Sequence, residues 1–368
     1  MDLHKYFLGN SAESFCSVLC NTMNRDIRKQ IVQIVWLLGL ILLVNISATH
    51  ISTFFEQYLF SPLQVFRCWL FRLVPFSIGD LLYLAAIISL LYFLIKAIRK
   101  NASFKRINYL IGFLKVGKFI LLINLILLVL WGINYEQPKL AKRLALSTDT
   151  VSDADLIAFD SLLITRLNSL RYSYCALSLA EINQIAAASY KTGQKKMKVF
   201  AKPTLMGNGL AYFGIEGYFN PFSGEAQVNK KNPDFMQPFV VAHEMAHQTG
   251  IAAEDDANLM AYIRSMESEN KTLQYSACFN IWLYTHRRVF VIDSNLAREL
   301  KVGLNDFSLS QLDTLRQRRI QYQTFLDDIS SFIFDAYLKM GNQKEGIGSY
   351  RNVAYSALCW ERKKRMIP

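Results

Sequence analysis

Three long apolar runs, nearly free of charge, constrain this chain more than any other feature. Ile31–Ala48 reads IVQIVWLLGLILLVNISA and Phe119–Tyr135 reads FILLINLILLVLWGINY, with no charged residue in either, and Ile78–Ile95 carries a single acid, Asp80, near its start. Runs of this length form helices of about 26 Å, which with flanking residues cross a ~30 Å hydrocarbon core. Core helices of soluble proteins rarely stay free of charge for so long, so three transmembrane helices are expected. The chain is 52% hydrophobic and 19% charged, so its charge must collect outside these runs.

The basic residues set the expected orientation. Lys5, Arg25, Arg28 and Lys29 precede the first run. Lys96, Arg99, Lys100, Lys105, Arg106, Lys115 and Lys118 lie between the second and third, with no acid among them. Between the first and second runs stand only Arg67 and Arg72. Residues 1–30 are therefore expected as a cytoplasmic tail, 31–135 as the membrane region and 136–368 as an extracytoplasmic domain. Lys139, Lys142 and Arg143 argue weakly the other way. No small-residue cleavage site follows the first run, which reads as an uncleaved anchor. Residues 136–368 hold 28 basic and 24 acidic side chains. The net charge of +12 thus reflects topology, with the lipid bilayer as partner, and no nucleic-acid binding is expected. Six scattered cysteines define neither a disulfide framework nor a zinc site.

The C-terminal region reads as one mainly helical α+β domain. Ser152 and Asp153 can cap a helix running to about Arg171, and Ser178 with Glu181 forms a capping box for another ending near Lys191–Gly193. Met197–Ala201 is a candidate strand. Ile215–Asn220 and Glu225–Asn229 form a candidate β-hairpin around Pro221–Gly224. From Pro238 the pattern is helical, with one long helix across Asp313–Asp328, a break at Gly341–Gly348 and a last helix.

The chemistry lies in Val241–Asn258, VAHEMAHQTGIAAEDDAN. His243 and His247, four apart, project from one helical face and can each present a ring nitrogen to one Zn²⁺. Glu244 occupies the position of the general base in H-E-x-x-H. Gly250 suits a helix end, and Ala253 stands where a third histidine would fall in the longer motif. Glu254, opening the next helix, can fold back as the third ligand; its plain alternative is an acid favoured by the helix dipole. Asp255, Asp256 and Glu267 remain alternative ligands. Asn258, one turn further on, can hold a ligating histidine from behind. His286, Tyr350 and Arg351 are candidates for stabilising an oxyanion.

H-E-x-x-H followed by E-x-x-x-N resembles the gluzincin pattern, with Asn258 where that pattern has an acid. The whole chain also resembles a bacterial family, domain-of-unknown-function family 3810. The shared blocks are PFSIGDLLY, GYFNPFSGEAQVN, AHEMAHQTG and EDDANLMAY. The resemblance implies a zincin-like fold in the bacterial inner membrane, with the domain in the periplasm. By the gluzincin analogy, Glu225, Ala226, Gln227, Val228 and Asn229 would form a strand that binds substrate backbone. The function expected is a membrane-anchored zinc metallopeptidase acting on envelope proteins or peptides. A non-catalytic zinc-containing scaffold or sensor, or an amidase acting on a non-peptide amide, are the alternatives. Oligomeric state is not legible.

Overall fold

The computed structural model describes residues 25–99, 106–148, 150–190, 197–340 and 352–365. It is mostly helical, with one small three-stranded sheet. In chain order the helices before the sheet are α1 (Arg25–Phe55), α2 (Ser61–Phe71), α3 (Ile78–Arg99), α4 (Arg106–Leu130), α5 (Leu140–Arg143), α6 (Asp153–Leu170) and α7 (Leu179–Ser189). Strand β1 (Ala201–Pro203), helix α8 (Gly207–Tyr212) and strands β2 (Gly217–Asn220) and β3 (Glu225–Val228) follow. The chain then continues as α9 (Gln237–Gln248), α10 (Glu254–Glu267), α11 (Lys271–Ile292), α12 (Ser294–Val302), α13 (Asp306–Tyr322), α14 (Phe325–Met340) and α15 (Asn352–Arg365).

Contacts divide the chain into two units, Met1–His50 with Ala86–Leu130, and Ile51–Ala85 with Trp131–Pro368. In the first unit, Lys118 Nζ donates to Gln33 Oε1 at 2.9 Å. Its apolar side chains stay uncovered, with Trp36 76% and Phe113 74% exposed, unlike those of a soluble core helix. Two helical stretches, Arg25–Phe71 and Leu110–Leu130, are long and apolar enough to cross a membrane, whereas Ile78–Tyr92 is a shorter apolar stretch.

The second unit reaches further back along the chain than the expected boundary at residue 135. The reason is a buried polar layer between Ile51–Ala85 and one face of the sheet. The strand order is β1-β3-β2, with β1 parallel and β2 antiparallel to β3. Side chains alternate along strands, and the pairing of Ala201 with Ala226 and of Gly217 with Val228 puts the small and apolar residues on one face. Lys202, Tyr218, Asn220, Glu225 and Gln227 share the other. On that polar face Lys202 Nζ donates to Glu225 Oε1 at 2.6 Å and to the carbonyls of Phe71 and Phe76 at 2.8 and 2.9 Å. Glu225 also accepts from the backbone N–H groups of Ile78 and Gly79 at 3.3 and 2.7 Å. It therefore neutralises the positive N-terminal end of α3. Asp80 accepts from Leu205 N at 2.6 Å, from Thr204 Oγ1 at 3.0 Å and from the Tyr218 hydroxyl. The first turn of α3 is thus occupied by sheet contacts.

From α2, Gln64 and Arg67 donate to the carbonyls of Gly224 and Pro221, each at 2.6 Å. A π-helical turn, Glu56–Phe60, leads into this helix. Pro62 explains it, since a proline clashes with the carbonyl four residues back and the wider turn relieves the clash.

The apolar face of the sheet packs on α9 in a core that includes Ala226, Val228, Val241 and Met245. Helices α6 and α11 extend this core through Leu156, Phe159, Leu163, Phe279 and Trp282. Arg166 grips Glu361 of α15 through two bonds of 2.7 Å, and Tyr262 donates to the same carboxylate at 2.8 Å.

The expected capping box of Ser178 with Glu181 is present, and the cap expected at Ser152 is also a box, closed by Asp155. Two expectations are corrected. The first strand lies at Ala201–Pro203 instead of Met197–Ala201, because Met197 and Val199 are buried without a ladder partner among the described residues. The long helix across Asp313–Asp328 divides after Tyr322, where the Thr324 hydroxyl accepts from Leu326 N at 3.3 Å and starts a new helix. The break expected at Gly341–Gly348 lies outside the described residues.

The polar layer predicts a stability pattern. Lys202→Met leaves the Glu225 carboxylate buried without its cation and should cost about 3–5 kcal/mol. The double change Lys202→Met with Glu225→Gln should recover much of it. Denaturation of the detergent-solubilised protein, followed by tryptophan fluorescence, measures both. Wild-type stability of the single variant would exclude the pair as a structural anchor.

Candidate metal centre

Helix α9 begins with Pro238 in its first turn, where a missing N–H costs nothing. It ends at Gln248, followed by Gly250 at φ +95°. A β-carbon at Gly250 would sit 3.0 Å from the Phe60 ring, so both conformation and space call for glycine. This turn points the Ile251 carbonyl back at His247, whose Nδ1–H donates to it at 2.7 Å. The bond fixes the tautomer and leaves Nε2 with a free lone pair. The turn also returns the chain so that Glu254, first residue of α10, faces both histidines.

The three donor atoms converge. His243 Nε2 lies 3.1 Å from His247 Nε2 and 3.2 Å from Glu254 Oε2, and His247 Nε2 lies 3.6 Å from Glu254 Oε1. Ligands at 2.0–2.1 Å from a tetrahedral Zn²⁺ stand ~3.3 Å apart, so the spacing and the N₂O donor set fit zinc. Among the described residues, this is the group of three side chains that could hold a metal ion. The other acids are engaged elsewhere. Asp255 pairs with Lys139 at 2.7 Å. Asp256 is pushed up to about 7 by burial and by Asp255, against Lys139 and the backbone of Leu140. Glu267 pairs with Arg264 at 2.9 Å.

Burial dominates the electrostatics. It lowers His247 to about 4, against the pull of Glu254, so this ring is neutral at pH 7. Burial also acts to lower His243, but the adjacent Glu254, with Glu244 and Asn258, outweighs it and the net shift is upward. Glu244 rises to about 8 through burial, with Glu254 and Glu216 adding and His243 opposing. Its Oε2 has no hydrogen-bond partner among the described residues. Gly217 makes room for it, since a β-carbon there would lie 2.7 Å from Glu244 Oε1 and 2.9 Å from the Gln227 carbonyl.

Trp131, Phe219 and Phe60 wall the site. The Trp131 ring stands edge-on to His247 at 5.9 Å and lies 4.4 Å from Phe219 and 5.6 Å from Phe60.

The family comparison covers this region. A model described as a protein of unknown function, DUF3810, matches residues 55–355. The chain belongs to the DUF3810 family. No curated protein and no solved structure matches it. The DUF3810 match begins beside the π-helical turn and spans both halves of the polar layer and the whole histidine–glutamate cluster.

Several expected site residues of this DUF3810 protein fall elsewhere. Strand β3 is central and paired on both edges, so Glu225, Ala226, Gln227, Val228 and Asn229 cannot accept an added strand. Glu225 and Gln227 belong to the polar layer, and Asn229 donates to the Gly207 and Ile215 carbonyls at 2.8 and 3.3 Å. His286 pairs with Asp160 at 3.2 Å and stacks on Trp282, outside the cluster. Tyr350 and Arg351 lie outside the described residues. Asn258 does adjoin His243. Two residues not anticipated are Glu216, which bears on both His243 and Glu244, and Tyr284, whose phenol is raised by burial and by Glu216 and Glu254. Glu216 stands just before β2, a position readable in sequence, whereas nothing local distinguishes Tyr284.

Purified protein loaded with zinc should separate the acids. Glu254→Ala should lose most of the metal, while Asp255→Ala and Asp256→Ala keep it. Affinity in a chelator competition should fall from pH 8 to pH 5, because His243, held above the usual ~6.5, takes the first proton and a ligand must be neutral. Stoichiometric zinc in Glu254→Ala would remove this residue from the ligand set.

Proposed function

We propose that this protein is a membrane-anchored zinc-dependent peptidase, with His243, His247 and Glu254 as ligands and Glu244 as general base. The observation that carries the reading is the convergence of three donor atoms at tetrahedral-edge spacing beside a buried carboxyl with an unengaged oxygen. Zinc bound there would act as a Lewis acid and lower the pKa of water to ~7.

The remaining steps belong to the chain. Glu244 takes a proton from the attacking water and hands it to the departing amine. Burial raises Glu244 to about 8, and a divalent charge alongside would bring it back to the carboxylate that accepts that proton near neutral pH. The Tyr284 phenol, which feels Glu254 and Glu216 and keeps its proton through burial, is the donor proposed for the carbonyl oxygen as charge develops on it. Trp131 and Phe219 restrict water. The substrate backbone would pair with β2, since the outer edge of β1 is closed by Asn183, which bonds both the N–H and the carbonyl of Ala201. Asn229 N donates to Glu216 O, so by alternation Gly217 and Phe219 turn their backbone groups to the open side.

The proposed topology keeps three crossings, the second carried by α3, which is 22 residues long. With a basic loop holding the second turn in the cytoplasm, the domain after Tyr135 lies outside. A reporter fused after Pro368 should behave as extracytoplasmic. Cytoplasmic behaviour would exclude three crossings with this orientation and the envelope substrates that follow from it.

Glu244→Gln is nearly isosteric and leaves the three ligands intact. It should retain zinc and lose ~10²–10⁴ in rate, while His247→Ala should lose both. If Glu244→Gln supports wild-type function where His247→Ala does not, the zinc is structural and the protein is a scaffold. If Glu244→Gln is itself depleted of metal, Glu244 is a ligand and the base lies elsewhere.

A further inference from the structure

We infer that the site acts on membrane-tethered polypeptides and cuts them within a few residues of their anchor; this rests on the peptidase reading above. The argument is the covalent path from the metal centre to the apolar helices. Trp131 is bonded to Leu130, the last residue of the apolar stretch Leu110–Leu130. It is buried, and its ring lies 5.9 Å from that of His247. Adding the reach of two side chains and one peptide unit, the donor cluster lies within roughly 15–20 Å of the end of that helix, about five or six extended residues.

Two further contacts hold this spacing. Gln137, a few residues on, donates to the Gly250 carbonyl at 3.3 Å and to Asn134 Oδ1 at 2.8 Å. On the other side Gly250 abuts Phe60, which lies within the long helical stretch Arg25–Phe71. The turn that presents Glu254 to the metal is therefore clamped between two segments that each continue directly into an apolar helix. These contacts keep the centre beside the two points at which the chain leaves for its apolar helices.

The segment that carries Phe60 has surface that suits an anchor. Phe54, Tyr58, Leu59, Phe66 and Trp69 are exposed along it, and Leu73 just beyond it. Such contiguous apolar surface marks a lipid or protein contact, and tyrosine and tryptophan favour the membrane interface. Strand β2 runs from Gly217, against Glu244, to Phe219, against Trp131. A chain paired along its open edge thus passes from the general base toward the helix exit. A tethered polypeptide can span that path, whereas a soluble peptide has no anchor to gain from it.

The test uses full-length, zinc-loaded protein in lipid nanodiscs. The probe is a randomised octapeptide library on a palmitoylated carrier, joined through Gly-Ser spacers of 3 or 20 residues, with the same library unlipidated as a third arm. The short-spacer arm should be cleaved at least ten-fold faster than the long-spacer arm, and Glu244→Gln should abolish cleavage in all arms. Equal cleavage of short- and long-spacer arms, whatever the soluble arm does, overturns the inference and leaves the peptidase reading standing. Cleavage by wild type no different from Glu244→Gln in every arm overturns both.

Discussion

The buried Lys202–Glu225 pair is the interaction on which the rest of this structure depends. Glu225 lies on the central strand, so its position sets that of β2 beside it. Its carboxylate also takes the N-terminal N–H groups of α3, and Lys202 binds carbonyls at both ends of the preceding loop, Phe71 and Phe76. One ion pair therefore ties a sheet, a helix start and a loop separated by more than a hundred residues. A lone buried charge is costly, so neither residue can keep its place without the other. On the opposite face of the same sheet, Gly217 leaves the space that Glu244 fills. A shift of β2 by one residue would present a side chain there and displace the Glu244 carboxyl.

What was legible in the sequence follows the range of the interactions. The pairing of His243 with His247 is set by four residues of helix, and the role proposed for Glu254 depends on a turn at Gly250 only a few residues away. The capping boxes at Ser152 and Ser178 are equally local, and the helices they start are where the sequence puts them. The strand order is different in kind. That β3 is central depends on its parallel pairing with β1, more than twenty residues earlier, and nothing in Glu225–Val228 records it. Asp80 was readable only as an acid at the edge of an apolar run. Its partners Thr204, Leu205 and Tyr218 lie more than 120 residues downstream, and they turn it from an incidental charge into part of the sheet's anchorage. The family blocks PFSIGDLLY and GYFNPFSGEAQVN make physical sense only together, as two sides of one layer.

The charge balance of the site bears on what it holds. Glu244, Glu254 and the nearby Glu216 bring three carboxyl groups into a small, largely dry volume, opposed by His243 and by Arg318 at a distance. Burial responds by raising Glu244 toward its neutral form and by driving His247 to its uncharged form. Burial is the first cause of both shifts, and repulsion from Glu254 and Glu216 adds to that on Glu244, a local deficit of positive charge beside two imidazole nitrogens and a carboxylate aimed at one point. The upward shift of His243 beside Glu254 answers part of the deficit. A divalent cation at the same point would supply more, and would lower the Glu244 pKa toward a value at which the group is ionised at neutral pH. The proposed metal thus rests on two features of the chain. One comes from how many acids the fold buries, the other from where two turns of helix and one glycine place three atoms.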